Sequence, residues 1–258
     1  MTFDLSGKVA LVTGGNGGIG LGMAEAMAQN GADIAVWGTN PDKNAAATEQ
    51  LEAHGVKAKS YICNVADPAA VNDAMGATLA DFGRVDGCFA NAGVSGRGAA
   101  SFLDIDFEEW RRVLSVNLDG VYHTYQAALR HMVERSRNGD AGGRLVAVSS
   151  LASVSGAAMS EHYAASKGAL NAMTFALAVE FARYGITANA VLPGWIETDM
   201  TENAISNEKF SVNVGKRIPA RRWGHPNDFG GVAAYLLSDA SSYHTGQLLQ
   251  IDGGYWRF

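Results

Sequence analysis

Tyr163 and Lys167 are the residues whose types and spacing most clearly indicate chemistry. Lys167 follows Tyr163 by four positions, so on a helix the two side chains share one face. Tyrosine has an ordinary pKa of about 10, which is a poor match to neutral pH, but a lysine ammonium one turn away favours the phenolate. Such a pair is usually a packing tyrosine and a surface lysine. Ser150, at the end of an apolar run, could bring a hydroxyl into the same cleft, and the three together predict proton transfer at a substrate oxygen.

A glycine-rich segment provides the other requirement of carbonyl reduction, which is a source of hydride. Gly14, Gly18 and Gly20 lie between the apolar run Val9-Ala-Leu-Val-Thr13 and a helical segment. Glycines let the backbone approach a pyrophosphate closely, and the N-terminus of the following helix attracts it. No Gly-Lys-Ser/Thr follows, which argues against a nucleoside triphosphate loop. The segment therefore predicts a dinucleotide site.

Short apolar runs alternate with longer amphipathic segments along the whole chain. We predict strands at 9–13, 34–37, 58–62, 85–90, 144–149, 187–192 and 247–251, and helices at 18–30, 41–54, 68–82, 106–135, 162–184 and 226–238. Continuous apolar strands between helices imply a parallel sheet covered on both faces. The expected fold is α/β: a single doubly wound Rossmann-type domain over residues 1–258, with a parallel sheet of about seven strands flanked by helices.

The composition argues against several other classes of function. The formal charge is −6 and no long basic run is present, so nothing indicates nucleic acid binding. Cys63 and Cys88 are isolated thiols, which predicts buried cysteines and no metal site. No signal peptide and no membrane span are visible, so the expected location is cytoplasmic and no membrane partner is expected.

The segment from Thr13 to Gly20 resembles the TGxxxGxG turn of the short-chain dehydrogenase/reductase family. The resemblance continues, in order and spacing, through almost the whole chain: Asn91-Ala92-Gly93, Asn117 in Val-Asn-Leu-Asp-Gly, Ser150, the YxxxK motif at Tyr163, and Pro193-Gly194 followed by Thr198. It implies an oxidoreductase that transfers a hydride between a nicotinamide dinucleotide and a carbonyl or secondary alcohol.

The resemblance also implies a role for each residue. Tyr163 would be the acid in reduction and the base in oxidation, while Lys167 would lower its pKa and hold the nicotinamide ribose. Ser150 would donate a hydrogen bond to the substrate oxygen, and Asn117 would anchor a water that links Lys167 to solvent. The residues expected to bind the cofactor are Gly14, Asn16, Gly18, Ile19, Gly20, Gly38, Thr39, Asn40, Asn64, Val65, Asn91, Ala92, Gly93, Tyr163, Lys167, Pro193, Gly194, Ile196 and Thr198.

Two neighbouring residues compete for these roles. Ser149 is an alternative to Ser150, although the spacing to Tyr163 favours Ser150. His162 adjoins Tyr163, but adjacent residues on a helix point about 100° apart. We therefore expect His162 at the rim of the cleft or in solvent.

The end of the second predicted strand normally decides between NAD and NADP, through an acid that grips the ribose 2′-OH or an arginine that accepts the 2′-phosphate. By the resemblance the acid would align with Gly38 and the arginine with Thr39, so neither is present. Gly38 removes an acid that would repel a phosphate. Thr39 and Asn40 can donate hydrogen bonds to it, and Lys43 could reach it. NADP(H) is therefore favoured over NAD(H), with NAD(H) left open.

Three segments are expected to line the substrate pocket: 94–101, 151–161 and 195–214, the last resembling a mobile substrate lid. Their side chains are mixed, with apolar Met159, Trp195 and Phe210 and charged Arg97, Glu161 and Glu197. This mixture fits a small polar alcohol or ketone, either sugar-like or 3-oxoacyl-like.

The alanine-rich helix from His162 permits close helix packing, and the resemblance implies a homotetramer formed through such helices. The aromatic end Tyr255–Phe258 is expected to pack against a neighbouring subunit. Two alternative functions stay open: a non-catalytic NADP(H)-binding sensor, disfavoured because the serine, tyrosine and lysine are all present, and an epimerase or dehydratase using the same site.

Overall fold

The computed structural model describes residues 3–257 and contains a seven-stranded sheet. Its strands are β1 (Val9–Thr13), β2 (Asp33–Gly38), β3 (Ala58–Ile62), β4 (Gly87–Ala90), β5 (Gly143–Val148), β6 (Ile186–Pro193) and β7 (Leu248–Ile251). They lie in the order β3-β2-β1-β4-β5-β6-β7, and all neighbours are parallel. The predicted single α/β domain with a parallel sheet of about seven strands is confirmed. The winding reverses between β1 and β4, where doubly wound sheets open a crevice for ligands.

Helices join the strands and cover both faces of the sheet. They are α1 (Gly18–Gln29), α2 (Pro41–Glu52), α3 (Pro68–Phe82), α4 (Phe107–Leu114), α5 (Gly120–Arg137), α6 (Ala152–Ser155), α7 (Glu161–Phe181), α8 (Glu202–Ser206), α9 (Glu208–Arg217) and α10 (Gly230–Leu237). Among residues 3–257, none of these helices has the length and apolar character needed to cross a membrane.

Local sequence signals set the ends of α2 and α3. The side chains of Asn40 and Asp67 accept hydrogen bonds from the first-turn N–H groups, and a proline follows each of them. Gly83 ends α3 in the left-handed region, at φ 74°, a conformation that glycine adopts without strain. These signals place α2 directly after β2 and beside the start of the crevice.

Each face of the sheet packs on its own apolar cluster. Leu11 and Trp37 belong to one cluster, whereas Val12 and Phe89 belong to the other. Successive side chains on a strand point to opposite faces, so strands covered on both sides must be apolar throughout. Cys63 is buried as expected, and its burial raises the pKa of the thiol to about 11, which leaves it protonated and unreactive.

The segment predicted as one helix at 106–135 is interrupted. A π-helical turn at Ser115–Asp119 separates α4 from α5. An inserted residue of this kind widens one turn of a helix and is frequent at functional sites. Asn117 lies at the centre of the turn and is fully buried. Hydrophobic periodicity does not report such an insertion, because the apolar face continues on both sides of it.

Candidate active site

The glycine turn lies at the end of β1 and is tied to the end of β4. The Nδ2 of Asn91 donates to the carbonyls of Thr13 and Gly14, at 3.0 and 3.1 Å. The main-chain N–H groups of Asn91 and Ala92 both donate to the Thr13 hydroxyl, at 3.0 Å. Gly14 has a φ of 62°, and a Cβ there would lie 2.9 Å from Asn91 Nδ2. Glycine is therefore required at position 14 for both its conformation and its space.

The start of α1 is built to hold an anion. No side chain caps the first N–H groups of this helix, so they remain available to a ligand. Gly18 has a φ of 50°, and a Cβ there would lie 3.2 Å from a methyl group of Thr198. The turn and Thr198 are thus in close contact at one side of the crevice above β1, which is called the channel below. The uncapped N–H groups of α1 suit a dinucleotide pyrophosphate.

At the end of β2, the space beside Gly38 is filled by two amide side chains. Asn16 Nδ2 donates to Asn44 Oδ1 at 2.7 Å, and Asn44 Nδ2 donates to the Gly38 carbonyl at 3.1 Å. A Cβ at position 38 would overlap both amides. Asn16 is an expected cofactor residue, but Asn44 was missed. Asn44 is buried on the same face of α2 as Ala47 and Leu51. The helical spacing of these three residues is the sequence signal that could have indicated it.

The residues that follow Gly38 are exposed. Thr39 and Asn40 lie at the surface, and Asn40 uses its Oδ1 to cap α2. The Nζ of Lys43 lies 2.5 Å from Asp199 Oδ2, which joins α2 to the segment after β6 across the mouth of the channel. This ion pair raises the pKa of Lys43.

Other expected cofactor residues lie along the same edge of the sheet. Asn64 is exposed just after β3, and Val65 is buried against Gly120, where a Cβ would lie 2.6 Å from Val65 Cγ2. Pro193 ends β6, and Ile196 is buried and pairs with Gly224 in an isolated bridge. The structure therefore brings every expected cofactor residue to the carboxyl edge of the sheet or to the glycine turn.

Ser150, Tyr163 and Lys167 come together after β5. Ser150 and Tyr163 line the same cavity, and Lys167 Nζ lies 5.7 Å from the centre of the Tyr163 ring. The Nζ donates to the Val148 carbonyl at 2.8 Å. Ser149 is buried and donates to the main-chain carbonyl of Lys167 at 3.0 Å. Ser149 thus faces the protein interior, whereas the Ser150 hydroxyl faces the cavity.

Burial dominates the electrostatics of this cluster. It raises the pKa of Tyr163, and a hydrogen bond from Ser150 opposes that rise. Burial also lowers the pKa of Lys167 to about 8. Desolvation disfavours the charged form of both groups, and the expected lowering of the Tyr163 pKa by Lys167 stays a prediction.

Asn117 positions the segment after β4. Its Oδ1 accepts from the Val94 N–H at 2.8 Å, and its Nδ2 donates to the Val94 carbonyl and the Ser166 hydroxyl at 3.0 and 3.2 Å. A Cβ on Gly93 would lie 3.3 Å from Asn117 Oδ1 and 3.4 Å from Lys167 Nζ. The side chains of Asn117 and Lys167 therefore both lie close to Gly93. The role of Asn117 as a water anchor stays a prediction.

A cavity of about 490 Å³ adjoins Ser150 and Tyr163. All three expected segments contribute to it, the first through Ser95 and Gly96 and the third through Trp195 and Phe210 among others. The second contributes Leu151, Ala152, Ser155, Gly156, Ala157, Ala158 and Ser160. The rings of Trp195 and Phe210 meet edge to face, with centroids 5.2 Å apart. Within the described part of the chain, Arg97, Glu161, Glu197 and Met159 do not line this cavity.

The C-terminal segment contributes Tyr255 to the cavity, and the guanidinium of Arg217 stacks 4.4 Å above its ring. The expected packing of this segment against a neighbouring subunit stays a prediction. The turn at Gly253 and Gly254 packs on the segment 218–220 and directs Tyr255 inwards. Phe258 lies outside the described residues.

His162 is not at the cleft rim or in solvent, as expected from sequence, but is almost completely buried. Its Nε2 lies 3.6 Å from Glu109 Oε1, and its ring packs on Gly96. The helix turns His162 away from the cavity, as predicted, but α4 and the segment after β4 cover that side. No group of three or more His, Cys, Asp or Glu residues among 3–257 is arranged to hold a metal ion.

Comparison with known proteins gives a consistent family. The family model described as enoyl-(acyl carrier protein) reductase matches residues 14–256. The chain is 36% identical over 252 residues to gluconate 5-dehydrogenase of Gluconobacter oxydans, covering 98% of this chain and 96% of that protein. It is 39% identical over 254 residues to 2-dehydro-3-deoxy-D-gluconate 5-dehydrogenase of Bacillus subtilis, with the same coverage.

Solved structures give the same result. A gluconate 5-dehydrogenase from Burkholderia cenocepacia in complex with NADP and tartrate superposes with a TM-score of 0.92 at 35% identity, covering 99% of this chain and 98% of that one. An NAD⁺-bound xylitol dehydrogenase superposes with a TM-score of 0.89 at 34% identity, covering 97% and 99%. With the glycine turn, the parallel sheet and the Ser150, Tyr163 and Lys167 cluster, these matches show that the chain belongs to the short-chain dehydrogenase/reductase family of NAD(P)-dependent oxidoreductases.

Proposed function

We propose that this oxidoreductase interconverts a secondary alcohol and a ketone on a sugar-like polyol, with Tyr163 as the acid and base. One observation carries the proposal: the Tyr163 and Ser150 side chains reach a cavity of about 490 Å³ lined by other hydroxyl groups and by aromatic rings. Hydroxyls suit the polar groups of a sugar chain, and the rings of Trp195 and Phe210 suit its C–H faces. The gluconate and xylitol dehydrogenases similar to this chain support the same substrate class.

Each catalytic side chain has a step in this proposal. In reduction the Tyr163 hydroxyl gives its proton to the substrate oxygen, and in oxidation the phenolate takes that proton back. Ser150 donates a hydrogen bond to the same oxygen and stabilises the charge that develops there. A bound nicotinamide dinucleotide gives or accepts the hydride and, when oxidised, adds positive charge that favours the phenolate.

The buried Lys167 has two roles in this proposal, which are to bind the ribose and to return a proton to Tyr163. Its Nζ donates to the Val148 carbonyl and has further protons for the hydroxyls of a ribose. A pKa of about 8 lets it release and regain a proton near neutral pH, so it can resupply Tyr163. Asn117 holds the Val94 backbone beside it and completes the proposed catalytic set.

We propose NADP(H) as the preferred cofactor. The channel would hold it through the glycine turn, the segment Asn91–Gly93 and residues 193–198. No acid follows β2, since the residues there are Gly38, Thr39 and Asn40. Lys43 stands at this end of the channel and can exchange Asp199 for a 2′-phosphate. Relatives of known structure hold NADP in one case and NAD⁺ in another.

We also propose that residues 195–214 act as a substrate lid. The segment contributes Trp195, Met200 and Phe210 to the cavity, and its Thr198 side chain lies beside the glycine turn. Closure over a bound cofactor would exclude water from the reacting carbon.

A homotetramer in the cytoplasm completes the proposal. A second cavity of about 680 Å³ lies between α5 and α7 and is lined by apolar residues such as Leu129 and Met173, with charged residues such as Arg130 and Glu180 among them. On the same helices Tyr122 and Phe175 are about half exposed, and Val179 is 84% exposed. Apolar surface of this extent suits a second copy of the chain. Free thiols, as in Cys63 and Cys88, are stable in the cytoplasm.

A substrate panel tests the proposed function. Polyols, aldonates, 2-ketoses and 3-oxoacyl thioesters are assayed with NADP(H) and NAD(H), following the absorbance of the reduced nicotinamide. We expect turnover of at least one sugar-like substrate, with a higher kcat/KM for the NADP couple. Turnover of thioesters alone would contradict the substrate class, and no turnover in the panel would contradict the function. Tyr163→Phe serves as the inactive control for background reduction.

A further inference from the structure

One wall of the substrate cavity is a stretch of main chain. Residues 94–97, here called the wall segment, follow β4, and Ser95 and Gly96 in it line the cavity together with Tyr163. Gly96 presents only backbone to the cavity. The position of that backbone therefore sets the width of the cavity at this point.

One buried side chain, Asn117, and two partly buried ones, Glu109 and Arg112, hold the wall segment almost residue by residue. Asn117 pairs with both main-chain groups of Val94. Arg112 donates to the Ser95 carbonyl at 2.8 Å, and Glu109 accepts from the Arg97 N–H at 2.9 Å. Only Gly96 has no such main-chain partner among these contacts.

Glu109 and Arg112 are themselves rigidly joined. Two hydrogen bonds of 2.6 and 2.7 Å link the guanidinium to the carboxylate, a geometry that fixes both planes. Their hydrogen bonds lower the pKa of Glu109 to about 2, so the carboxylate stays charged throughout the working range of an enzyme.

His162 occupies the remaining position, behind Gly96. A Cβ on Gly96 would lie 2.6 Å from both Cε1 and Nε2 of the His162 ring. The ring is buried, and neither nitrogen has a hydrogen-bond partner among residues 3–257. Its Nε2 faces Glu109 Oε1 at 3.6 Å. A buried imidazole without a hydrogen bond is unfavourable for stability. The close packing of the ring against Gly96 is the contact that we consider below.

We propose that His162, together with Glu109 and Arg112, is a positioning residue that sets the wall segment and thereby selects the substrate. His162 does not line the cavity. It acts through Gly96. The ring prevents the Gly96 backbone from moving away from the cavity, and the absence of a side chain at Gly96 lets that backbone contact the ring directly. This inference rests on the proposed function, because it needs a substrate in the cavity beside Tyr163.

The proposal predicts a particular kinetic signature. A displaced wall changes how the substrate is held, whereas the glycine turn and the Tyr163 hydroxyl are untouched. KM for the substrate should therefore change much more than kcat, and the dissociation constant of the cofactor should stay the same. A residue with a merely structural role would lower the active fraction instead, which reduces the apparent kcat.

Size compensation between positions 96 and 162 is the decisive test. Gly96→Ala, His162→Ala and the double variant are assayed in the full-length protein with the best substrate of the panel. Each single change should raise KM about tenfold, the first by pushing the wall into the cavity and the second by removing its support. In the double variant the new methyl group occupies the vacated space, and KM should return to within about threefold of the wild type.

Matched controls separate this effect from general damage. Gly76→Ala adds the same methyl group in α3, where nothing lies within 4 Å of it, and His54→Ala removes an exposed histidine. Both should leave KM and kcat unchanged. Where Gly96→Ala yields no folded protein, His162→Asn and Glu109→Gln are measured instead, and each should raise KM several-fold at nearly constant kcat.

The outcomes are distinguishable. Single-variant KM values no larger than those of the controls would overturn the inference, as would a double variant at least as impaired as the product of the single effects. A kcat that falls with unchanged KM would do the same. If the wild type turns over no panel substrate, the proposed function itself fails and this inference with it, whereas an active wild type without compensation removes only the inference.

Discussion

Two lysines at opposite ends of the cofactor channel show how differently the two ends are built. Lys167 is only 4% exposed, and burial lowers its pKa to about 8. The side chain of Lys43 is 54% exposed, and its ion pair with Asp199 raises its pKa. We therefore expect the proposed reaction end of the channel, at Lys167, to depend on desolvation, and the proposed adenosine end, at Lys43, to depend on exposed charge pairing. Effects at the first end should be large and insensitive to salt, and effects at the second small and screened by salt.

Removal of the Tyr163 hydroxyl should have the largest effect. Tyr163→Phe keeps the ring and its packing but deletes the only proposed proton donor, so kcat should fall about 1,000-fold or more. The dissociation constant of the cofactor, measured by fluorescence titration, should change less than twofold. Activity within tenfold of the wild type would refute the role of Tyr163.

Insertion of an acid at the adenosine end should destabilise the protein more than it changes the cofactor preference. In Gly38→Asp the new side chain overlaps the amides of Asn16 and Asn44, so the free energy of unfolding should fall by about 2 kcal/mol. Thermal unfolding measures this loss, and adding Asn44→Ala should restore part of it. A fully stable Gly38→Asp enzyme that prefers NAD(H) would contradict this prediction, because it would show that Asn16 and Asn44 can move to accommodate a side chain at position 38.

Measuring stability at acid pH tests the ion pair of Glu109 with Arg112, whose exposure is intermediate between that of Lys167 and that of Lys43. The pKa of Glu109 is lowered to about 2 from 4.5, so its contribution to stability is complete above about pH 4.5 and is lost as the pH falls towards 2. After discounting for solvent screening, Glu109→Gln should lower the free energy of unfolding by about 1 kcal/mol at pH 7. The difference from the wild type should vanish near pH 2. A difference that is independent of pH would assign the effect to packing rather than to charge.

Removal of the exposed lysine should have the smallest effect. Lys43→Met should leave the free energy of unfolding almost unchanged, because an exposed ion pair contributes little to stability. It should weaken NADPH binding several-fold at low salt, leave NADH binding unchanged, and lose most of its effect in 1 M salt. Equal weakening of both cofactors would exclude a contact between Lys43 and the 2′-phosphate. Asp42→Asn, a neutralised neighbour on the same helix, is the matched control.

The parts of the molecule that follow from sequence are those with a repeating or motif-based signal. Alternating apolar runs predict the sheet, and the glycine spacing predicts the turn before α1. Sequence reasoning could not find the π-helical turn at Asn117, because an inserted residue leaves the apolar face intact. It also placed His162 in the wrong surroundings and did not place Tyr255 in the cavity, since what covers a side chain depends on distant segments such as α4 and 218–220. The upward shift of the Tyr163 pKa is likewise a property of burial, which neighbours in sequence do not reveal.

The double attachment of Asn91 to the glycine turn has a consequence for the order of events. Its amide joins the carbonyls of Thr13 and Gly14, so the main chain of the proposed pyrophosphate cradle is held in place by hydrogen bonds within the protein itself. A site that is already formed loses little conformational entropy on binding and associates quickly. The walls around the substrate, in contrast, include a segment that we expect to move. We therefore expect an ordered sequence in which the dinucleotide enters first and leaves last.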